Sequence, residues 1–389
     1  MAILRGRHFL QIPGPTNVPE RILRALSKPT IDHRGPEFAQ MTREIISGLQ
    51  EICKTTGRVV IYPSSGTGGW EAALVNTHSP GDKVLIYETG FFANMWRSLA
   101  SKIGLQVEFL PGDWRRGVEV ELLLHKLKED KEKTIKSVLI VHNETSTGVV
   151  SRLPLIRRAL DQASHPALLI VDTISSLALI DYRHDEWGVD VTIGSSQKGL
   201  MLPPGLAFNV VSEKALLVSQ AARLPRSYWD WQAVINANQN GFFPYTPPTN
   251  LLFGLQEALK MILEEGLENI FARHNRLGEA TRRAVKAWGL EINCLQPEEY
   301  SNSVTAVRVP EGCDADNLRK IILEKFNMSL GNGLGKLQGK VFRIGHMGDF
   351  NELMLAGTLS GIEMGLAIAK IPFHKGGVQA AIDYLAGNE

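Results

Sequence analysis

Lys198 stands in Gly194-Ser195-Ser196-Gln197-Lys198-Gly199, directly after an apolar run and before Leu200-Met201-Leu202-Pro203-Pro204-Gly205. Most lysines are solvated surface residues. A lone cation among small and apolar neighbours is either turned outward or used chemically. In a desolvated pocket it would lose its proton more readily, as a nucleophilic amine must. Asp172 ends the run Ala167-Leu168-Leu169-Ile170-Val171. That puts a carboxylate at the carboxyl end of a buried strand, where open α/β sheets bind ligands, although an aspartate there can equally cap the next turn. A third feature is Ser64-Ser65-Gly66-Thr67-Gly68-Gly69, between an apolar run and a helical pattern starting near Trp70. Glycines allow close backbone approach, a helix N-terminus favours an anion, and the hydroxyls add donors. Alone, this loop reads equally well as a plain turn.

Together the three features specify more than any one of them. An anion anchor at a helix start, a strand-end carboxylate and an amine follow one another, with Lys198 26 residues after Asp172. Pyridoxal phosphate (PLP) needs these three groups, for its phosphate, its ring nitrogen and its aldehyde. The loop matches neither G-x-G-x-x-G nor the phosphate-loop pattern ending in Gly-Lys-Ser/Thr, so a nucleotide-binding module is the weaker reading and leaves Lys198 without a task.

The elements that must hold these groups show as short apolar runs alternating with helical patterns. Val59–Tyr62 precedes Trp70–Asn76, Lys83–Tyr87 precedes Phe92–Lys102, and Ser137–His142 precedes Leu155–Ala163. Ala167–Val171, Val191–Gly194 and Ala207–Val211 continue the series. This predicts an α/β fold with a mostly parallel sheet between helices. Helical spacing also runs from Glu37 to Lys54. The first twenty residues hold Pro13, Gly14, Pro15 and Pro19 and read as an extended arm. Around Pro244-Tyr245-Thr246-Pro247-Pro248 the pattern breaks. A long helical stretch, about 250–288 with a weak point near Gly266, then leads into a smaller α+β region with Ser303–Val309, Asp314–Lys325, Val341–Ile344 and Asn351–Ala369. The expected division is an arm over 1–21, a large domain over 22–265 and a small domain over 266–389.

Bulk properties exclude other classes. The chain has 389 residues, 44% hydrophobic and 21% charged, ordinary for a globular protein with a large core. A net charge of +1 gives no electrostatic case for nucleic acid or an anionic membrane. The charged run His125–Lys133 mixes signs and reads as a solvated helix end. Cys53, Cys294 and Cys313 are odd in number and far apart, which fits a reducing compartment rather than a disulfide framework. No metal-ligand spacing is visible. The N-terminus lacks a signal-peptide pattern, no apolar stretch reaches membrane-spanning length, and the C-terminal Ala-Gly-Asn-Glu is not a peroxisomal address, so a cytoplasmic location is expected.

Several longer motifs resemble one family. They are Pro13-Gly14-Pro15-Thr16-Asn17, Asp32-His33-Arg34, Ser65-Gly66-Thr67-Gly68, His142-Asn143-Glu144-Thr145 with Thr147-Gly148-Val149, Val171-Asp172, Gly194–Gly199, Pro244–Pro248 and Lys340-Val341-Phe342-Arg343-Ile344-Gly345-His346. Over nearly its whole length the chain resembles the fold-type-I class V aminotransferases, within them the serine–glyoxylate and alanine–glyoxylate group that includes aspartate–glyoxylate enzymes. The resemblance implies a seven-stranded sheet in the large domain. It also implies Lys198 as the Schiff-base and proton-transfer residue, Asp172 on the pyridinium nitrogen, and Ser65, Gly66, Thr67 and Gln197 on the phosphate. Thr145 would meet the ring hydroxyl and Phe92 would stack on the ring. Tyr245 and Thr246 would reach the neighbouring subunit's phosphate in a homodimer. Arg343 would hold the substrate carboxylate as a bidentate guanidinium, with His33 and Arg34 nearby. Thr173, Gly35 and Phe92 differ from residues common in that group.

The implied reaction carries an amino group from serine first, alanine or aspartate next, to glyoxylate. Aspartate would require a second cation, for which Arg34, Arg223 and Arg226 are the candidates. A class V lyase or desulfurase is the alternative enzyme. It would need a reactive cysteine, and neither Cys294 nor Cys313 lies in a pattern that favours a thiolate.

Overall fold

In the computed structural model, which describes residues 6–387, the alternating apolar runs become a seven-stranded sheet. The first five residues of the expected arm and the last two of the C-terminal tetrapeptide lie outside the described residues. The strand order is Arg58–Ser64, Gly205–Val211, Val191–Ser195, Leu168–Asp172, Ile135–Val141, Lys83–Tyr87, Gln106–Leu110. All pairings are parallel except those of Gly205–Val211, which runs antiparallel to both of its neighbours. The mostly parallel seven-stranded sheet expected from the sequence is present.

Strand residues are apolar on both sides because helices cover both faces. Leu85 and Tyr87 face one core with Phe38, Ile45, Leu49 and Leu255. Val84 and Ile86 face the other with Trp70, Leu74 and Trp96. The helix Pro36–Cys53 presents Phe38, Met41, Ile45, Leu49 and Ile52 to the first core. Each such side chain contributes about 1.5–3 kcal/mol when fully buried. The helix begins with proline at its first turn, where no N–H is needed, and ends with Lys54 in the left-handed region. The charged run after His125 ends the helix Val120–Glu129, as a solvated terminus should.

The weak point at Gly266 is a break. Thr249–Glu265 and Leu267–Ala287 are separate helices, and Gly266 takes φ +81°, a conformation open to glycine. Beyond it, Val304–Arg308, Met328–Asn332 and Val341–Gly345 form a second sheet under the helices Ala315–Phe326 and Glu352–Ile368. The N-terminal segment is more than an extended arm. Phe9–Gln11 is an edge strand of this second sheet, parallel to Met328–Leu330, and Glu20–Leu26 is already helical. Pro13–Thr16 therefore crosses from the small sheet to the end of the large one. No helix among the described residues is long and apolar enough to cross a membrane.

Candidate active site

The carboxyl ends of the central strands surround a cavity of about 270 Å³, near the lower bound of small-molecule sites, roughly 300–1,000 Å³. Ser65, Gly66, Thr67, Phe92, Thr145, Asp172, Gln197 and Lys198 all line it. So do Gly14, Pro15, Trp70, Asn143 and Ser175. A larger open cleft of about 880 Å³, bordered by Arg116, Arg158 and Glu298, lies elsewhere and contains none of the expected site residues.

Lys198 is held by a loop closed on itself. Strand Val191–Ser195 ends, Ser196 Oγ donates to the Pro203 carbonyl at 2.8 Å, and the Met201 amide donates to the Lys198 carbonyl at 2.9 Å. The flanking small residues are needed for space: a Cβ on Gly199 would lie 2.1 Å from the Leu177 carbonyl oxygen. On the other side the N-terminal segment closes in. Thr16 donates its amide to Gln197 O and its hydroxyl to Lys198 O, and Lys198 Nζ donates to the Pro13 carbonyl. Lys198 is only 9% exposed. Burial first, then the Arg343 charge, pull its ammonium from the usual range down to about 8.

Asp172 is buried at its strand end. Its Oδ1 accepts the Ile174 amide at 2.7 Å, and its Oδ2 accepts the Trp70 indole N–H at 2.9 Å. Trp70 is itself fixed by stacking on Trp96, with centroids 5.5 Å apart and planes 14° apart. Burial raises the Asp172 carboxyl to about 7 against these donors, so a cation placed before it would restore its charge. Sequence reasoning missed Trp70. Its only signal was an aromatic residue in the first turn after the glycine-rich loop.

That loop is the N-terminus of the helix Gly66–Thr77. The first N–H groups of a helix lack intrahelical partners, and the Ser65 side chain makes no capping bond. A Cβ on Gly66 would lie 2.3 Å from Ile174 Cδ1, so a larger residue here would have to push the Ile174 side chain aside. Buried Gln197 Oε1 and Asn143 Oδ1, on two residues that line the cavity, have no partner among the described residues. Unpaired buried polar atoms are costly. With the helix start, the carboxylate and the amine, they match the donor and acceptor needs of PLP, so the residues present fit that group.

Arg343 lies in the strand Val341–Gly345 and is 6% exposed. It does not line the cavity. Nε donates to Asn332 O at 2.7 Å and Nη1 to Thr145 O at 3.0 Å. Burial brings its pKa down to about 10. Other expected residues are not gathered within one chain. His33 is half-buried and Arg34 exposed, in the turn before Pro36, and neither borders the cavity. Tyr245, whose hydroxyl donates to Ile61 O, and exposed Thr246 also stand outside it. Arg223 is exposed, and Arg226 donates to the carbonyls of Val75, Ser219 and Ala222, so neither supplies the cavity with a second cation.

The comparisons with known proteins agree with the fold. Residues 8–335 match the family model described as Aminotransferase class-V. An L-aspartate–glyoxylate aminotransferase of Paracoccus denitrificans is 47% identical over 375 residues, covering 96% of this chain and 95% of that protein. A serine–glyoxylate aminotransferase of Methylorubrum extorquens is 46% identical over 390 residues, covering 98% and 97%. The solved structure of a ureidoglycine–glyoxylate aminotransferase from Bacillus subtilis has a TM-score of 0.90 at 29% identity, over 99% of this chain and 100% of that one. Fold and cavity define an α/β enzyme of fold type I. The chain belongs to the class-V aminotransferase family.

Proposed function

We propose that this enzyme is a PLP-dependent transaminase. It moves the amino group of a small L-amino acid, serine first and alanine or aspartate next, onto glyoxylate, giving glycine in two half-reactions. The observation that carries this reading is the meeting of Lys198 and Asp172 with the Ser65–Thr67 helix start in one cavity. The serine–glyoxylate and aspartate–glyoxylate relatives support the acceptor.

PLP bound here would supply an electron sink for negative charge at the substrate α-carbon. The chain's residues do the rest. Asp172, held by Trp70 and the Ile174 amide, keeps a ring nitrogen cationic. Ser65, Gly66, Thr67 and Gln197 would hold the phosphate, Thr145 the ring hydroxyl, and Phe92 would stack on the ring. Lys198 is the covalent attachment point and, once free, moves the proton from the α-carbon. Its depressed pKa leaves a useful fraction of neutral amine near neutral pH. Arg343 binds the substrate carboxylate through the guanidinium N–H groups not already given to Asn332 and Thr145. Arg34 and Arg223 are exposed and Arg226 is committed to the carbonyls of Val75, Ser219 and Ala222, so none joins Arg343 as a second cation for an acidic donor, and serine is the donor best matched to one chain's residues.

The working unit in this reading is a cytoplasmic homodimer with Tyr245 and Thr246 reaching the partner's phosphate site. The arm 1–21, large domain 22–265 and small domain 266–389 are its parts, with Gly266 as the joint. A sulfur-removing lyase is disfavoured because burial pushes the Cys294 thiol up to about 12, Cys53 lies in the core, and Cys313 borders a different cleft. Borohydride reduction of the PLP-loaded protein should fix a cofactor-derived mass on the peptide containing Lys198, and Lys198→Ala should abolish both the label and turnover. A Lys198→Ala protein with full turnover sinks the proposal. Rates with serine, alanine and aspartate against glyoxylate then rank the donors.

A further inference from the structure

Glu144 is a fully buried carboxylate at the edge of the site that the mechanism above does not use. It lies on the two-residue strand Asn143–Glu144, paired with Val149–Val150. Among the described residues no ion pair compensates it. Instead it accepts the amides of Phe92 and Ala93, each at 3.2 Å, the Ser146 amide at 3.2 Å and the Ser146 hydroxyl at 2.5 Å. Ser146 Oγ in turn accepts the Phe91 amide at 2.9 Å. Phe91, Phe92 and Ala93 are the first three residues of the helix Phe91–Lys102, so its orphan N–H groups are capped by a segment about fifty residues away in sequence.

The helix has no cap of its own. Its N-cap is Gly90, where a Cβ would lie 2.4 Å from Glu144 Cγ and 2.5 Å from Ser146 Oγ. Glycine at 90 therefore makes room for the distant carboxylate. Between the two capping residues stands Thr145, whose side chain lines the cavity and whose carbonyl accepts from Arg343. One carboxylate thus ties together the helix that presents Phe92, the turn that presents Thr145 and, through that turn, Arg343.

We propose that Glu144 is a positioning residue for the cofactor ring: it fixes the first turn of the Phe91–Lys102 helix so that Phe92 would face the ring in register with Thr145. This rests on the PLP reading of the cavity. Charge-assisted bonds from N–H groups to a buried carboxylate are stronger than neutral ones. A neutral amide at 144 would also turn an NH₂ group toward some of these donors.

The test is a double-mutant cycle on Glu144→Gln and Phe92→Ala, read by PLP affinity and by the induced circular dichroism of the bound cofactor. Glu144→Gln is expected to weaken PLP binding about tenfold and to change the induced signal, lowering kcat more than it raises KM. In the Phe92→Ala background the same change should have less than about a twofold effect, because residues acting through one contact are not additive. Fully additive losses, or an unchanged induced signal with normal affinity, overturn the proposal. If Glu144→Gln does not fold, Ser146→Ala removes one capping hydroxyl and runs through the same cycle with the same opposed outcomes. A wild-type protein that takes up no PLP would instead refute the cofactor reading itself, a failure distinct from these.

Discussion

In the proposed reaction Lys198 would have two tasks that require opposite protonation states, attaching as a neutral amine and returning a proton as an ammonium. Burial and the nearby Arg343 charge lower its pKa to about 8, whereas Asp172 and Glu144 pull the other way. Below that pKa the amine is charged and unreactive, so PLP capture by the apoprotein should rise about tenfold per pH unit up to about pH 8 and level off above it. Arg343→Gln removes a cation that disfavours the ammonium. The Lys198 pKa must then rise, and the inflection of the capture rate should move to higher pH. Stopped-flow absorbance across a pH series measures it; an inflection that stays put or falls would show that Arg343 does not act on Lys198. Asp172 follows the converse logic: raised by burial to about 7, it is fully charged only when a cation stands before it. The amine and the carboxylate were legible in the sequence because each follows a short buried strand. The tuning groups were not. In the sequence Trp70 only marks the start of a helical pattern, and its bond to Asp172 spans 102 positions that only the folded sheet brings together.

At the level of elements, alternation of apolar runs with helical periods made the large sheet and its hand-over to the helices readable. The pieces that escaped are those with little local signal. The Phe9–Gln11 strand is three residues long and acquires its identity only from Met328–Leu330. The helices Glu213–Ala221 and Trp231–Asn238 are short and lie before the Pro244–Pro248 break. Yet the N-terminal strand matters to the site, because it delivers Gly14 against the lysine. Gly14 takes φ +92°, and a Cβ there would lie 2.3–2.5 Å from the Lys198 Cδ, Cε and Nζ atoms. Gly14→Ala should therefore displace the amine and cut borohydride-trapped PLP at least about tenfold, in addition to the roughly 1 kcal/mol or more expected for alanine at positive φ. Gly81→Ala is the matched control. It shares a positive φ of +81° but meets nothing within 4 Å, so its melting temperature should fall while trapping stays normal. Equal trapping by the two variants would show that Gly14 serves only the backbone.

For the whole molecule, the question is why Tyr245 and Thr246 stand outside the cavity that the other residues expected to hold the cofactor line. Tyr245 is stacked on half-exposed Tyr228 at 4.7 Å, and the same aromatic group continues through Trp229, whose ring limits Gly68 beside the phosphate loop. A surface of this kind, next to a helix N-terminus, suits a two-fold contact in which each chain completes the other's site. Complementation follows from the proposed shared-site homodimer. A Lys198→Ala chain lacks the amine but keeps Tyr245 and Thr246; a Tyr245→Phe, Thr246→Ala chain keeps the amine but lacks both hydroxyls. Each homodimer should be weak or dead. In a hybrid dimer with shared sites, one cavity combines the intact lysine of one chain with the intact hydroxyls of the other, and the second cavity carries both defects. Random pairing makes half the dimers hybrids, each with one working site, so a co-refolded equimolar mixture should recover about a quarter of wild-type activity. If Tyr245 and Thr246 instead serve their own chain, no cavity in the hybrid is complete. The mixture would then show only the average of the two parents, with no gain on mixing.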